Sequence, residues 1–200
     1  MMVMEKGRNG SSPVPIEARL MDRRRIILNG EINSDLACQI VNQLLILNED
    51  DPFAPIDLMI NSNGGEIGAG LLIYDAMCSN AAPVRTVCMQ KAYSMAAILF
   101  AAGTKRMMFP NSRLMIHEPI VMSQFVGNNE SLKEVMTTLG ENSQTLHAIL
   151  MKLTGRSESE IEEACSKDRY FTLEEAIEFG LCDCKASLAR LAEGEVEDDV

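Results

Sequence analysis

The chain has 200 residues, of which 46% are hydrophobic, and its 18 Lys and Arg against 29 Asp and Glu give a formal net charge of −11. This composition suits one domain with a continuous core, and the acidic balance argues against a nucleic-acid partner. The longest apolar stretches, such as Met95–Ala102, are far shorter than the ~20 residues of a membrane span, so we expect no membrane association. No signal-peptide-like segment opens the chain, and we therefore expect a cytoplasmic protein with reduced thiols.

Charge is unevenly distributed along the chain. Five acids and no base lie between Glu193 and Val200, whereas the first 28 residues lean basic and include the cluster Arg23-Arg24-Arg25. We interpret that cluster as the solvated start of a strand. The pattern predicts an N-terminal arm at residues 1–19, one domain at residues 20–190 and an acidic tail at residues 191–200.

Strand-like and helix-like patterns alternate between the two ends. The first half of the chain predicts a strand at Arg25–Asn29, a helix capped by Ser34 that runs to the Asn48–Pro52 break, a strand at Ile56–Ile60 and a helix from Ile67 to about Ser79. A strand at Val84–Met89, a helix from about Ser94 to Ala102 and strands at Arg106–Phe109 and Arg113–Ile116 follow. The last third predicts a long helix over roughly Asn129–Leu153 and two helices that begin at the capping boxes Ser157-x-x-Glu160 and Thr172-x-x-Glu175. Such alternation favours an α/β domain with a mainly parallel core sheet.

The sequence predicts no cofactor or metal in this chain. It has no Gly-x-x-x-x-Gly-Lys-Ser/Thr motif for ATP, and the glycines of Gly64–Gly70 have the wrong spacing for a dinucleotide fingerprint. The six cysteines lack the paired spacing of a zinc site, so we interpret them as packing residues. A Gly-Gly turn at the end of a strand can instead aim backbone N–H groups at a developing negative charge.

Ser94 and His117 are the candidates for nucleophilic chemistry. Ser94 precedes an apolar helix, where unpaired N–H groups stabilise an oxyanion, although a plain N-cap is the commoner use of such a serine. His117 ends a strand and is followed by Glu118 and Pro119, whereas His147 lies within the long helix and fits a packing role. A third, orienting carboxylate is needed, and spacing alone does not choose among Asp168, Asp75 and Glu118.

Four motifs in register resemble the proteolytic subunits of the Clp protease family, ClpP. The resemblance covers about residues 20–185. The matching segments are the turn Ile60-Asn-Ser-Asn-Gly-Gly65, the nucleophile segment Ala92-Tyr-Ser-Met95, the run Pro110-Asn-Ser-Arg-Leu-Met-Ile-His-Glu-Pro119, and the pair Asp168-Arg-Tyr-Phe and Glu174-Glu-Ala-Ile-Glu-Phe-Gly-Leu-Cys-Asp183.

The resemblance implies a serine endopeptidase of crotonase-like β/α superhelix fold that cleaves unfolded polypeptides. Ser94 matches the nucleophile, His117 the general base and Asp168 the residue that orients the histidine. The backbone N–H groups of Gly65 and Met95 match the oxyanion hole. It further implies two stacked seven-membered rings joined through a handle helix at about residues 129–153, with the N-terminal arm in the axial region. A partner AAA+ unfoldase would supply ATP hydrolysis and feed in the substrate.

The chain departs from the family pattern at four positions near the site. Asn63 replaces a proline, Tyr93 replaces a smaller residue beside the nucleophile, Ala96 replaces a glycine and Glu118 replaces a glutamine. Two alternatives therefore stay open. One is a catalytically silent subunit of a hetero-oligomeric Clp complex, and the other is a crotonase-type acyl-CoA enzyme, which shares the glycine-rich oxyanion architecture.

Overall fold

The computed structural model describes residues 1–7, 10–120 and 128–193. Its strands are β1 (Met2–Gly7), β2 (Gly10–Pro15), β3 (Arg25–Asn29), β4 (Ile56–Ser62), β5 (Val84–Tyr93), β6 (Arg106–Met108), β7 (Arg113–Ile116), β8 (Arg169–Phe171) and β9 (Cys184–Lys185). Its helices are α1 (Ile16–Met21), α2 (Ser34–Asp50), α3 (Ile67–Ser79), α4 (Met95–Ala101), α5 (Asn129–Thr154), α6 (Glu158–Cys165), α7 (Leu173–Phe179) and α8 (Leu188–Glu193). None of the helices within these ranges is long and apolar enough to cross a membrane.

One mainly parallel sheet forms the centre of the fold. Strands β3, β4, β5, β6 and β9 lie side by side and pair in parallel. Strand β7 also pairs in parallel with the C-terminal end of β5, and β8 pairs with β7 in the antiparallel direction. The first five residues of β4 are all buried, as expected for a strand that is covered on both faces. The predicted mixed α/β fold with a parallel core sheet is therefore confirmed.

Helices α4 and α5 differ sharply in burial. All seven residues of α4 are buried, so this helix forms part of the core. Of α5, Leu146 and Leu150 are buried near its C-terminal end, and its polar faces remain exposed. Asn128 caps its N-terminus and left-handed Gly155 ends it, which matches the helix predicted over roughly residues 129–153. Its use as a handle between rings remains a prediction.

The chain ends are only partly described. Strands β1 and β2 form an antiparallel hairpin that is separate from the central sheet, and α1 follows directly and crosses the predicted end of the arm at residue 19. Of the predicted acidic tail, residues 194–200 lie outside the described residues. The hairpin was not predicted. The short strands β8 and β9 were not predicted either, because two- or three-residue strands carry too little periodicity to detect.

Two local details differ from the sequence-based interpretation. Asn33, not Ser34, caps α2: the Asn33 side chain accepts a hydrogen bond from the Leu36 N–H at 2.9 Å, while the Ser34 hydroxyl lies 3.2 Å from the carboxylate of Glu66. Arg24 is not simply solvated, since its guanidinium donates to four backbone carbonyls between residues 47 and 55. It thereby ties the start of β3 to the loop that precedes β4.

Candidate active site

Ser94 lies in a sharp turn between β5 and α4. Its backbone has φ 55° and ψ −126°, a conformation that a residue with a side chain rarely adopts. Although Ser94 occupies the N-cap position, its hydroxyl makes no capping hydrogen bond. The N-cap interpretation of Ser94 is therefore wrong for its side chain. Such strain is typical of functional sites, where it holds a side chain in a position that relaxed geometry would not give.

Pairing of β5 with β7 brings His117 to Ser94. Tyr93 pairs with Met115 in the parallel register, and the Ser94 N–H donates to the Met115 carbonyl at 2.7 Å. His117 follows the last residue of β7, and its Nε2 lies 2.8 Å from Ser94 Oγ. The histidine side chain is 14% exposed, so it reaches solvent only at one edge. This distance allows the imidazole to accept the serine proton.

Asp168 reaches the same place through the antiparallel pairing of β7 with β8. Ile116 pairs with Arg169, and the next position along each strand places His117 beside Asp168. Asp168 Oδ1 lies 3.3 Å from His117 Nδ1, on the ring nitrogen opposite to the one that faces Ser94. The carboxylate side chain is 59% exposed. An acid at this nitrogen fixes the tautomer in which Nε2 is free to accept a proton.

The two other acids that the sequence left open do not take this position. Glu118 points its carboxylate towards α5, where Oε2 accepts a hydrogen bond from Ser143 Oγ at 2.6 Å. Asp75 lies in the middle of α3, where its backbone carbonyl accepts a hydrogen bond from the Ser79 hydroxyl at 2.6 Å. Among the described residues, Asp168 is therefore the carboxylate that contacts the His117 ring.

The Gly64-Gly65 turn packs directly against the nucleophile segment. Gly64 has φ +95°, and a Cβ there would lie 2.7 Å from the Tyr93 carbonyl oxygen and 2.9 Å from Ser94 Cβ. Gly65 forms a parallel bridge to Ile32 that uses the flanking groups of residues 64 and 66, so its own N–H faces away from Ile32.

The second predicted oxyanion donor is the backbone N–H of Met95. As the first residue of α4 it belongs to the first turn, whose N–H groups have no intrahelical acceptor. Gly65, Ser94 and Met95 all line the same cavity. The use of the Gly65 and Met95 N–H groups as oxyanion donors remains a prediction.

A cavity of about 1060 Å³ runs past these residues. Apolar side chains of α4 and α5 line one part of it, including Ile98, Leu146 and Leu150. Polar residues at the end of β4 and in the turn that follows it, including Asn61 and Glu66, line another part. A channel with apolar and polar walls next to a nucleophile suits an extended polypeptide, which presents both side chains and backbone groups.

Tyr93 does not narrow this cavity. Among the described residues that line it, Tyr93 is absent, and its ring instead meets Tyr170 edge-on with centroids 5.5 Å apart. Tyr93 is the last residue of β5 and Tyr170 lies in β8, so this ring contact spans the two strands that flank β7. Tyr93 therefore links the nucleophile segment to the strand that follows Asp168.

Cys165 also lines the cavity and carries a thiol. Burial, together with the nearby Glu118 carboxylate, raises the pKa of this thiol to about 12. A thiol with so high a pKa stays protonated and inert at neutral pH. Ser94, which has an acceptor at 2.8 Å, is the better nucleophile of the two. Within the described ranges no group of three or more His, Cys, Asp or Glu side chains is placed to hold a metal ion.

Sequence reasoning and the family resemblance together predicted Ser94, His117, Asp168, Gly65 and Met95, but did not predict the contacts that the neighbouring helix α5 makes. Ser143 and His147 both approach Glu118, with His147 Nε2 2.9 Å from Glu118 Oε1. Their spacing of four residues on one helix was the available signal, since it places two side chains on one face. Nothing in the sequence indicated which residue that face meets.

The family model described as Clp protease matches residues 8–185. The match includes every element from β3 to β9, together with all five predicted site residues.

Proposed function

Because the chain belongs to the Clp protease family, we propose that it is a serine endopeptidase in which Ser94 is the nucleophile. His117 acts as the general base and Asp168 orients it. The observation that carries this proposal is the pair of contacts made by the two ring nitrogens of His117, 2.8 Å to Ser94 Oγ and 3.3 Å to Asp168 Oδ1. A hydroxyl, an imidazole and a carboxylate in this order form the relay that acyl transfer requires.

The reaction proceeds in two stages. Ser94 Oγ attacks the peptide carbonyl carbon while His117 Nε2 takes the hydroxyl proton, which gives a tetrahedral oxyanion. The N–H groups of Gly65 and Met95 donate to that oxygen, each lowering the barrier by about 3 kcal/mol. His117 then gives its proton to the leaving amine, and the C–N bond breaks to leave an acyl-enzyme. A water molecule, deprotonated by His117, attacks the ester and releases the acid and free Ser94.

The proposal extends to the setting in which the site works. We infer that two seven-membered rings of this chain stack through α5 and enclose a chamber, into which an AAA+ unfoldase feeds unfolded polypeptides. The support is the family itself, together with exposed apolar side chains on α5, where Leu132 is 46% and Met136 60% exposed. Apolar groups of this kind on a helix with few buried residues are suited to contact between subunits. The unfoldase would hydrolyse the ATP, so this chain needs no cofactor, and we place the complex in the cytoplasm.

The test combines peptide hydrolysis with mass by light scattering. We expect the wild type to hydrolyse a fluorogenic peptide and to assemble, and Ser94→Ala to assemble while losing hydrolysis. Ser79→Ala is the matched control, because its exposed hydroxyl bonds only to carbonyls of its own helix. An assembled wild type without hydrolysis would instead identify a silent ring subunit. Hydrolysis that persists in Ser94→Ala would contradict the assignment, and turnover of an enoyl-CoA by that variant would favour an acyl-CoA enzyme.

A further inference from the structure

Glu118 connects the proposed catalytic histidine to two other elements. It directly follows His117, beyond the last paired residue of β7, so the strand ladder does not hold this stretch. The Glu118 N–H instead donates to the Cys165 carbonyl at 2.9 Å, at the last residue of α6. Asp168 lies three residues further along the chain. This backbone bond therefore joins the two segments that carry His117 and Asp168.

The carboxylate of Glu118 faces two residues of α5, one through a hydrogen bond and one at ion-pair distance without hydrogen-bond geometry. Oε2 accepts a hydrogen bond from Ser143 Oγ at 2.6 Å, a length typical of a hydroxyl bound to an ionised acid. Oε1 lies 2.9 Å from Nε2 of His147, one helical turn further on. The His147 side chain is 13% exposed and that of Glu118 is 41% exposed, so the imidazole is largely shielded from water and the carboxylate is partly exposed. The Ser143 hydrogen bond thus directs the side chain towards α5, and His147 lies against its second oxygen.

The orientation of His117 needs this support. Its contact with Asp168 is 3.3 Å long and the Asp168 side chain is 59% exposed, so solvent competes for the orienting acid. Glu118 adds a second constraint, because it is covalently joined to His117 and its side chain is anchored on α5. We propose that Glu118 is a positioning residue for His117, held in place by Ser143 and His147 of α5. The inference rests on the proposed function, since positioning matters only where His117 acts as a base.

We expect substitution of Glu118 to slow the chemical step and to leave substrate binding unchanged. Neither Glu118 nor Ser143 is among the described residues that line the cavity, whereas His117 and Pro119 are. We expect Glu118→Ala to lower kcat by roughly ten- to a hundredfold, the size that a displacement of a catalytic group produces. KM should stay within about twofold because no cavity wall changes.

A set of variants separates positioning from a general loss of structure. Glu118→Gln keeps an oxygen that accepts from Ser143, so kcat should recover to within about threefold of the wild type. Ser143→Ala removes one of the two α5 contacts and should lower kcat roughly threefold or more. Thr145→Ala is the matched control, because among the described residues this hydroxyl of the same helix bonds to the Glu141 carbonyl and not to Glu118, and kcat should not change.

The experiment measures kcat and KM for a fluorogenic peptide, and the rate at which a fluorophosphonate labels Ser94. That rate reports activation of the serine without substrate binding. Wild-type kcat and labelling rate in Glu118→Ala would overturn the inference, as would a loss in Glu118→Gln equal to that in Glu118→Ala. If Glu118→Ala fails to assemble, Ser143→Ala decides: an unchanged labelling rate there overturns the inference. Failure of the proposed function looks different, because wild-type Ser94 would then not be labelled at all.

Discussion

Adding one methyl group at Gly64 tests how tightly the glycine turn must approach the nucleophile. In Gly64→Ala the new Cβ would lie 2.7 Å from the Tyr93 carbonyl oxygen, 2.9 Å from Ser94 Cβ and 3.1 Å from the Met95 nitrogen. These neighbours belong to the strained turn at Ser94, so they cannot shift without moving the hydroxyl. The turn must move away instead, and it takes the Gly65 N–H with it.

The loss of folding stability in Gly64→Ala has two parts. A side chain at φ +95° costs about 1–2 kcal/mol by itself. Overpacking against fixed backbone adds about 1–3 kcal/mol, for a total of about 2–5 kcal/mol. For a chain of this size each kcal/mol lowers the Tm by about 2–4 °C, so the Tm should fall by about 4–20 °C. Loss of an aligned oxyanion donor should also lower kcat by roughly a hundredfold.

Gly155→Ala is the matched control. Gly155 also has a positive φ, +72°, but a Cβ there would meet nothing within 4 Å. This variant therefore pays only the backbone strain of about 1–2 kcal/mol and should keep its kcat. Both variants are melted at one protein concentration, because assembly makes the Tm concentration-dependent. Equal Tm values and equal kcat values for the two variants would refute the close approach of Gly64 to Ser94.

Three other perturbations test separate parts of the structure. Asp168→Asn should lower kcat by roughly a hundredfold or more, because an amide favours the wrong imidazole tautomer, and an unchanged rate of peptide hydrolysis would argue against its role. Burial raises the pKa of Cys165 and Cys182 to about 12, so at pH 8 iodoacetamide should modify neither thiol until the chain unfolds; peptide mapping that finds either one alkylated in the native protein contradicts their burial. Hydrogen bonds from Ser157 lower the pKa of Glu160 from 4.5 to about 2, so its carboxylate stabilises the fold above pH 4.5 and loses this contribution as the pH falls through 2. Glu160→Gln keeps an oxygen for the capping box but removes the charge, so it should have a lower Tm than the wild type at pH 7 and a smaller difference near pH 2, and equal Tm values at pH 7 would contradict the stabilising role of the ionised carboxylate.

Local patterns predicted the elements that dominate the fold. The helix Ile67–Ser79 and the strand Arg113–Ile116 have the predicted bounds, and both capping boxes form with reciprocal hydrogen bonds. These features depend on residues within a few positions of one another. Periodicity and capping chemistry therefore sufficed to locate them.

The position of the orienting acid depends on strand pairing between distant parts of the chain, which local patterns do not predict. The choice of Asp168 over Asp75 and Glu118 follows from the register of β7 with β8, two strands more than 50 residues apart in the chain. Strand β8 has only three residues, too few for a pattern. Resemblance to the family supplied this acid, and the strand pairing gives the physical reason for its position.

The strain at Ser94 was also beyond local reasoning. A serine before an apolar helix predicts an N-cap, yet the φ of 55° turns the hydroxyl away from the helix and towards His117. That conformation is held by contacts on both sides, from the Met115 carbonyl and from Gly64. Only the assembled sheet brings these groups together.

The most direct test of the central claim is to map the site of fluorophosphonate attachment in the wild type and in His117→Asn. With Ser94 Oγ 2.8 Å from His117 Nε2, we predict one adduct per chain, on the peptide that contains Ser94, and no measurable adduct in His117→Asn. An adduct on a different residue, or equal labelling of Ser94 in both proteins, would contradict a serine peptidase that is activated by His117.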